Sequence, residues 1–146
     1  MEKQTIDKRI EGYPLWITAT VATILSVIAN ILVLFTTKPL APDFMSLTPM
    51  PVIFWTVLAV VGAMGVFALT RKYSKSPTNT FIRISWIVFL LSFLMDIPLF
   101  FFDIEFFAGA TTRGIITLMI MHVVVFVITV PLLVKHTRPR NIQLVK

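Results

Sequence analysis

The stretch PLWITATVATILSVIANILVLFT runs from Pro14 to Thr36 without a charged side chain, and it decides how the rest of the chain is read. A hydrocarbon core of roughly 30 Å is crossed by about 20 apolar residues in a helix. Three further stretches meet that length: Pro51 to Thr70, Ile84 to Phe102 and Gly114 to Val134. A single charge, Asp96, lies within all four. The expected fold is all-α: one membrane-spanning four-helix bundle that takes up residues 1–146 as a single domain, with spans at 14–36, 51–70, 84–102 and 114–134.

Composition supports this and excludes several classes. Hydrophobic residues make up 57% of the chain and charged ones only 14%, outside the range of soluble domains. The absence of cysteine excludes disulfides, thiolate metal sites and dithiol redox cycling, and with them the four-helix thiol oxidoreductases. The longest connection, 37–50, is too short for a soluble catalytic domain, so the chain is not expected to be an enzyme. The first span has a basic leader, but its apolar run is longer than a signal peptide's and no small-residue cleavage site follows. It is expected to be retained.

The net charge of +6 is a topology signal more than a nucleic-acid one. Of the 13 Lys and Arg, all but Lys38 and Arg113 fall in the amino-terminal tail, the middle connection 71–83 or the carboxy-terminal tail. Four crossings put these three flanks on one side. The positive-inside bias makes that side, and both termini, cytoplasmic. The expected location is therefore the cell membrane, with the lipid bilayer as partner and no nucleic acid. Tyr13 and Trp16 suit the cytoplasmic headgroup level, and Phe100, Phe101, Phe102, Phe106 and Phe107 an aromatic anchor at the opposite interface. Asp103 and Glu105 read as solvated loop charges, and His136 as an interfacial residue.

Pro39, Pro42, Pro49 and Pro51 break any helix through the first outer connection, which is expected to lie extended on the outer face. Thr78, Asn79 or Thr80 can cap the third helix, and Thr111 or Thr112 the fourth. Small residues at spacings of three and four mark contact faces in lipid. Ala19, Ala22, Thr23, Ser26 and Ala29 in the first span, with Ala59, Gly62, Ala63 and Gly65 in the second, are expected to pair these helices. A homo-oligomer built on the same residues is the alternative.

Chemistry is concentrated in a few polar residues. Counting at 1.5 Å per residue puts Asn30 and Asp96 about 9 Å, and His122 about 12 Å, below the outer boundary, with Thr56 at a similar level. Ser85, Ser92 and Asp96 fall within about 40° of one another around their helix. An ionised carboxylate facing lipid costs several kcal/mol, so Asp96 must face inward, be neutral or be paired. Helices three and four are antiparallel neighbours, which makes an Asp96 to His122 hydrogen bond feasible. Pro98 leaves the Leu94 carbonyl without a donor and favours a kink beside the carboxylate. Asp96, His122, Asn30, Thr56 and Ser92 are thus the candidates for a ligand or proton site, against the alternative that they are interhelical contacts worth about 1 kcal/mol each. His122 with Met119 and Met121 is not a metal ligand set, and no metal or cofactor is expected. No catalytic residue can be named, since a glycine-flanked serine, a phosphate loop and a zinc-protease helix are all missing.

The run FIRISWIVFLLSFLMDIPLF, with Ser92 followed by Pro98, and TLMIMHVVVFVITVPLLV, with His122 at the entry to the fourth span, together resemble an uncharacterised family of small prokaryotic four-span membrane proteins. The resemblance lies mainly over residues 80–135. It implies a four-helix fold and singles out His122, with no activity attached. A likeness to four-span drug exporters is architectural alone, since the first span here lacks their acid. Two expectations follow for function. One is a structural or accessory membrane protein with a buried polar layer in the outer leaflet. The other is a small proton-linked transporter or ligand-binding protein using Asp96 and His122.

Overall fold

A computed structural model describes residues 14–40, 43–102 and 107–136. Tyr13, the tails, Asp103, Glu105, Phe106 and the side chain of His136 lie outside the described residues. Four helices make up the fold: α1 (Leu15–Thr37), α2 (Pro49–Tyr73), α3 (Pro77–Asp96) and α4 (Thr112–His136). Each is long and apolar enough to cross a membrane, with mean hydropathy between 1.8 and 2.6 over its most apolar window. This is a multi-pass membrane protein. Helices adjacent in sequence pack against one another, α4 closes back onto α1, and α2 and α4 also touch across the short diagonal of the bundle. The connections α1–α2 and α3–α4 share one end, here called the cap end; the described chain begins and finishes at the other.

The helices outrun the apolar stretches at several ends. α3 starts at Pro77, seven residues before Ile84, because Pro is tolerated at the first helical position and the helix continues through polar residues outside the hydrocarbon. Thr78, Asn79 and Thr80 therefore lie inside its first turn and not at the cap. Ser76 occupies the cap position, with no side-chain bond of its own. The turn is held instead by Ser74, whose hydroxyl lies 2.8 Å from that of Thr80 and accepts from the Ser76 amide at 3.2 Å. At α4, Thr111 Oγ1 accepts the Gly114 amide at 3.1 Å, the capping geometry expected there.

Pro98 ends α3 and does not kink a continuing helix. The chain tightens into a 3₁₀ turn over Ile97–Phe100, closed by the Phe101 and Phe102 amides donating to the Pro98 carbonyl at 3.0 and 2.9 Å. The first loop departs further from expectation. It does not lie extended on the surface: Phe44 and Leu47 are fully buried, packed with Leu34, Val52 and Met121 and covered by Phe107. The Met45 amide donates to the Ala108 carbonyl at 3.3 Å, joining the two loops, and Lys38 Nζ donates to the Leu47 carbonyl at 3.0 Å. Both loops thus plug the bundle end. A second apolar cluster, Ala19, Phe67, Phe81 and Leu133, fills the other end, with Phe67 and Phe81 edge to face at 4.8 Å.

α1 is the most deeply set helix. Thr18, Ala19, Ala22, Ser26, Asn30 and Leu34 form a buried stripe with steps mostly of three and four residues. The small-residue expectation holds for Ala19, Ala22 and Ser26 in the buried stripe of α1 and for Ala63 of α2, which packs on the second apolar cluster, and fails for Ala59, Gly62 and Gly65. Gly62 and Gly65 are exposed, and a Cβ added at either would meet nothing within 4 Å. α2 instead turns Val52, Thr56, Val60, Phe67 and Thr70 inward. This rotation places Thr56 against Asn30 and buries Val60 and Phe67 in the bundle interior.

Candidate functional site

The expected single polar layer resolves into separate contacts on different seams. On the α1–α2 seam, Asn30 Nδ2 donates to Thr56 Oγ1 at 2.9 Å, with both residues buried. On the α1–α4 seam, the hydroxyls of Ser26 and Thr129 lie 3.4 Å apart, also buried. These two contacts sit between the apolar clusters at the bundle ends. Helical spacing carries the signal for them: Ser26 lies one turn before Asn30 on the same face. Asn30 Oδ1 is buried with no partner among the described residues.

The third contact belongs to α3 and α4 alone. Asp96 ends α3 and its side chain is 9% exposed, while that of His122, about 15 Å along α4 from Thr112, is 40% exposed. His122 Nδ1 lies 3.1 Å from Asp96 Oδ2. Among the described residues neither atom has a hydrogen-bond partner, so the pair is a close approach and not a formed hydrogen bond. The neighbouring residue on α4, Met121, turns the other way into the apolar cluster at the cap end. With Nδ1 on the buried carboxylate, the exposed part of the ring carries Nε2 outward, where no described residue bonds it. Ser92 takes no part in this contact. Its hydroxyl donates to the Phe89 carbonyl of its own helix at 2.7 Å.

One feature of this seam is not evident from residue types alone. Trp86, Phe89 and Phe93 of α3 and Phe126 of α4 form a continuous aromatic ladder leading from the His122 ring toward the termini end. Ring centroids are 6.3 Å apart for Phe93 and His122, 4.7 Å for Phe89 and Phe93, 4.5 Å for Phe89 and Phe126, and 4.8 Å for Trp86 and Phe126. The spacing of 86, 89 and 93 on an antiparallel partner of 122 and 126 is the sequence signal that finds it. No group of three or more His, Cys, Asp or Glu residues close enough to hold a metal occurs among the described residues.

The model of a family of unknown function, DUF6069, matches residues 11–139. The chain belongs to this family. The match takes in all four helices, well beyond the second-half resemblance over residues 80–135. Membership in DUF6069 agrees with the four-span architecture and brings no activity with it. Comparison with curated proteins and with solved structures finds no match.

Proposed function

We propose that this chain is a small ligand-binding membrane protein, not an enzyme, that exchanges a proton with its ligand through Asp96 and His122. In this reading it sits in the cell membrane with its basic flanks and termini cytoplasmic and its cap end outward. The observation that carries the reading is the asymmetry of the pair: a buried carboxylate beside an imidazole whose side chain is 40% exposed. The Asn30–Thr56 and Ser26–Thr129 contacts join buried side chains by hydrogen bonds, whereas the Asp96–His122 approach forms none and leaves the ring half exposed. The buried carboxylate 3.1 Å from Nδ1 lies beside an imidazole, a group that can take or give a proton at its other nitrogen. Ionisable residues at membrane depth are costly, which makes them functional candidates.

Reaction with diethylpyrocarbonate tests this, because the reagent modifies accessible, unprotonated imidazole and peptide mass spectrometry separates His122 from His136. His122 is expected to react in the folded, membrane-embedded protein, and Asp96→Asn to change its rate several-fold. A His122 that stays unmodified until the protein is unfolded contradicts the reading. The structural or accessory alternative keeps its support from the Ser26–Thr129 and Asn30–Thr56 contacts, which act as packing elements in either case.

A further inference from the structure

The turn between α2 and α3 carries a second site, independent of Asp96 and His122. We infer that it binds the headgroup phosphate of an anionic phospholipid, with Lys75 and the Ser74–Thr80 hydroxyl pair on the phosphate and Leu69 and Tyr73 against the lipid chains.

An open pocket of about 500 Å³ lies at this turn, lined by Leu69, Thr70, Tyr73, Ser74, Lys75 and Thr80. Its lining changes character along the chain. Leu69 and Thr70 close the apolar stretch that starts at Pro51, and the charges begin at Arg71. Lysine and arginine heads stay out of hydrocarbon, so the pocket straddles the step from lipid chains to headgroups. The phosphate of a phospholipid sits at that step, with its chains on the apolar side.

The polar half of the lining suits an oxyanion. Lys75 is exposed and, like Arg71, Lys72 and Arg83, has no carboxylate partner among the described residues. The described acids, Asp43 and Asp96, both lie toward the cap end, so no described carboxylate competes for these cations. Lys72 Nζ stands 5.1 Å from the centre of the Tyr73 ring, which holds a second ammonium beside the pocket. The Ser74 and Thr80 hydroxyls are 2.8 Å apart; one donates to the other, and the one that accepts keeps its own proton for a phosphate oxygen. The apolar half decides the source of the phosphate. Leu69 and Tyr73 are both exposed, and a free phosphate gains nothing from them, whereas the chains of a lipid cover them.

The test titrates the detergent-purified full chain with dioleoylphosphatidylglycerol or dioleoylphosphatidylcholine and counts bound lipid by native mass spectrometry. The first equivalent is expected to favour the anionic lipid, and Lys75→Gln to weaken its binding about fivefold, the effect of one cation beside an anionic headgroup. Lys75→Arg, which keeps the charge, should restore it. Lys135→Gln is the control: it makes the same charge change on an exposed lysine at the same bundle end but outside the pocket, and should change binding clearly less. Each variant is first matched to the parent in monodispersity and unfolding temperature. Equal binding of the two lipids, or an equal loss in Lys135→Gln, overturns the site and leaves a diffuse basic surface. Inorganic phosphate that displaces the lipid when in large excess, and binds the parent but not Lys75→Gln, overturns the lipid assignment in favour of a small anion.

Discussion

Phe44→Ala is expected to lower the unfolding free energy by about 3–5 kcal/mol, the cost of emptying a fully buried phenylalanine site. Phe44 is 0% exposed and packs with Leu34, Leu47, Val52 and Met121, so three separate parts of the chain meet on its ring. The magnitude follows from where the ring goes when the loop is released. Lipid-facing side chains gain nothing from leaving hydrocarbon for a protein interior, but a loop residue at the bundle end leaves water, and the hydrophobic effect applies in full. Equilibrium unfolding in one detergent reads the effect. A loss below about 1 kcal/mol would mean that the proline-rich loop is not docked.

Gly109→Ala is the second large effect, and it reaches the same cap from the other loop. Gly109 has φ of 77°, in the left-handed region, where a side chain costs about 1–3 kcal/mol. The added Cβ would also lie 2.8 Å from the Asp43 carbonyl carbon and closer still to its oxygen, with Phe44 Cα at 3.3 Å. All three are backbone atoms, which cannot swing aside as a flexible side chain can. The loops must therefore part, breaking the Met45 to Ala108 hydrogen bond and loosening Phe44. Unfolding measurements should show a loss of at least the backbone cost. The double variant with Phe44→Ala should lose clearly less than the two single losses added, since both undock one loop. Strict additivity would contradict the coupling.

The four spans were legible because length and hydropathy are what a bilayer selects, and Pro14–Thr36 matches α1 to within one residue at each end. Helix ends were less so. Hydropathy marks the part of a helix in hydrocarbon, while hydrogen bonding continues it through Pro77–Arg83 at α3 and through Arg71–Tyr73 at α2. The cap was illegible: Phe44 and Leu47 are two apolar residues among prolines, with no period to show that they fold inward. Gly62 and Gly65 gave a false contact because small residues permit close approach without requiring it, and α2 turns Thr56, Val60 and Phe67 inward instead. Asp96 and His122 came together as antiparallel adjacency implied. The division of the polar residues into sealed pairs and one open pair did not follow from the sequence, because it depends on which helix each side chain meets.

That division is the central claim, and the most direct test is equilibrium unfolding of wild type, Asn30→Leu and Asp96→Asn in one detergent, with oligomeric state monitored. Asn30→Leu strands the Thr56 hydroxyl and should cost about 1 kcal/mol or more. Asp96→Asn keeps a polar group beside a half-exposed ring, breaks no hydrogen bond at the Nδ1 contact and removes a buried carboxyl group, so it should be as stable as wild type or more so. If Asp96→Asn instead loses as much stability as Asn30→Leu, Asp96 and His122 are packing contacts like the others and the functional reading of the pair fails.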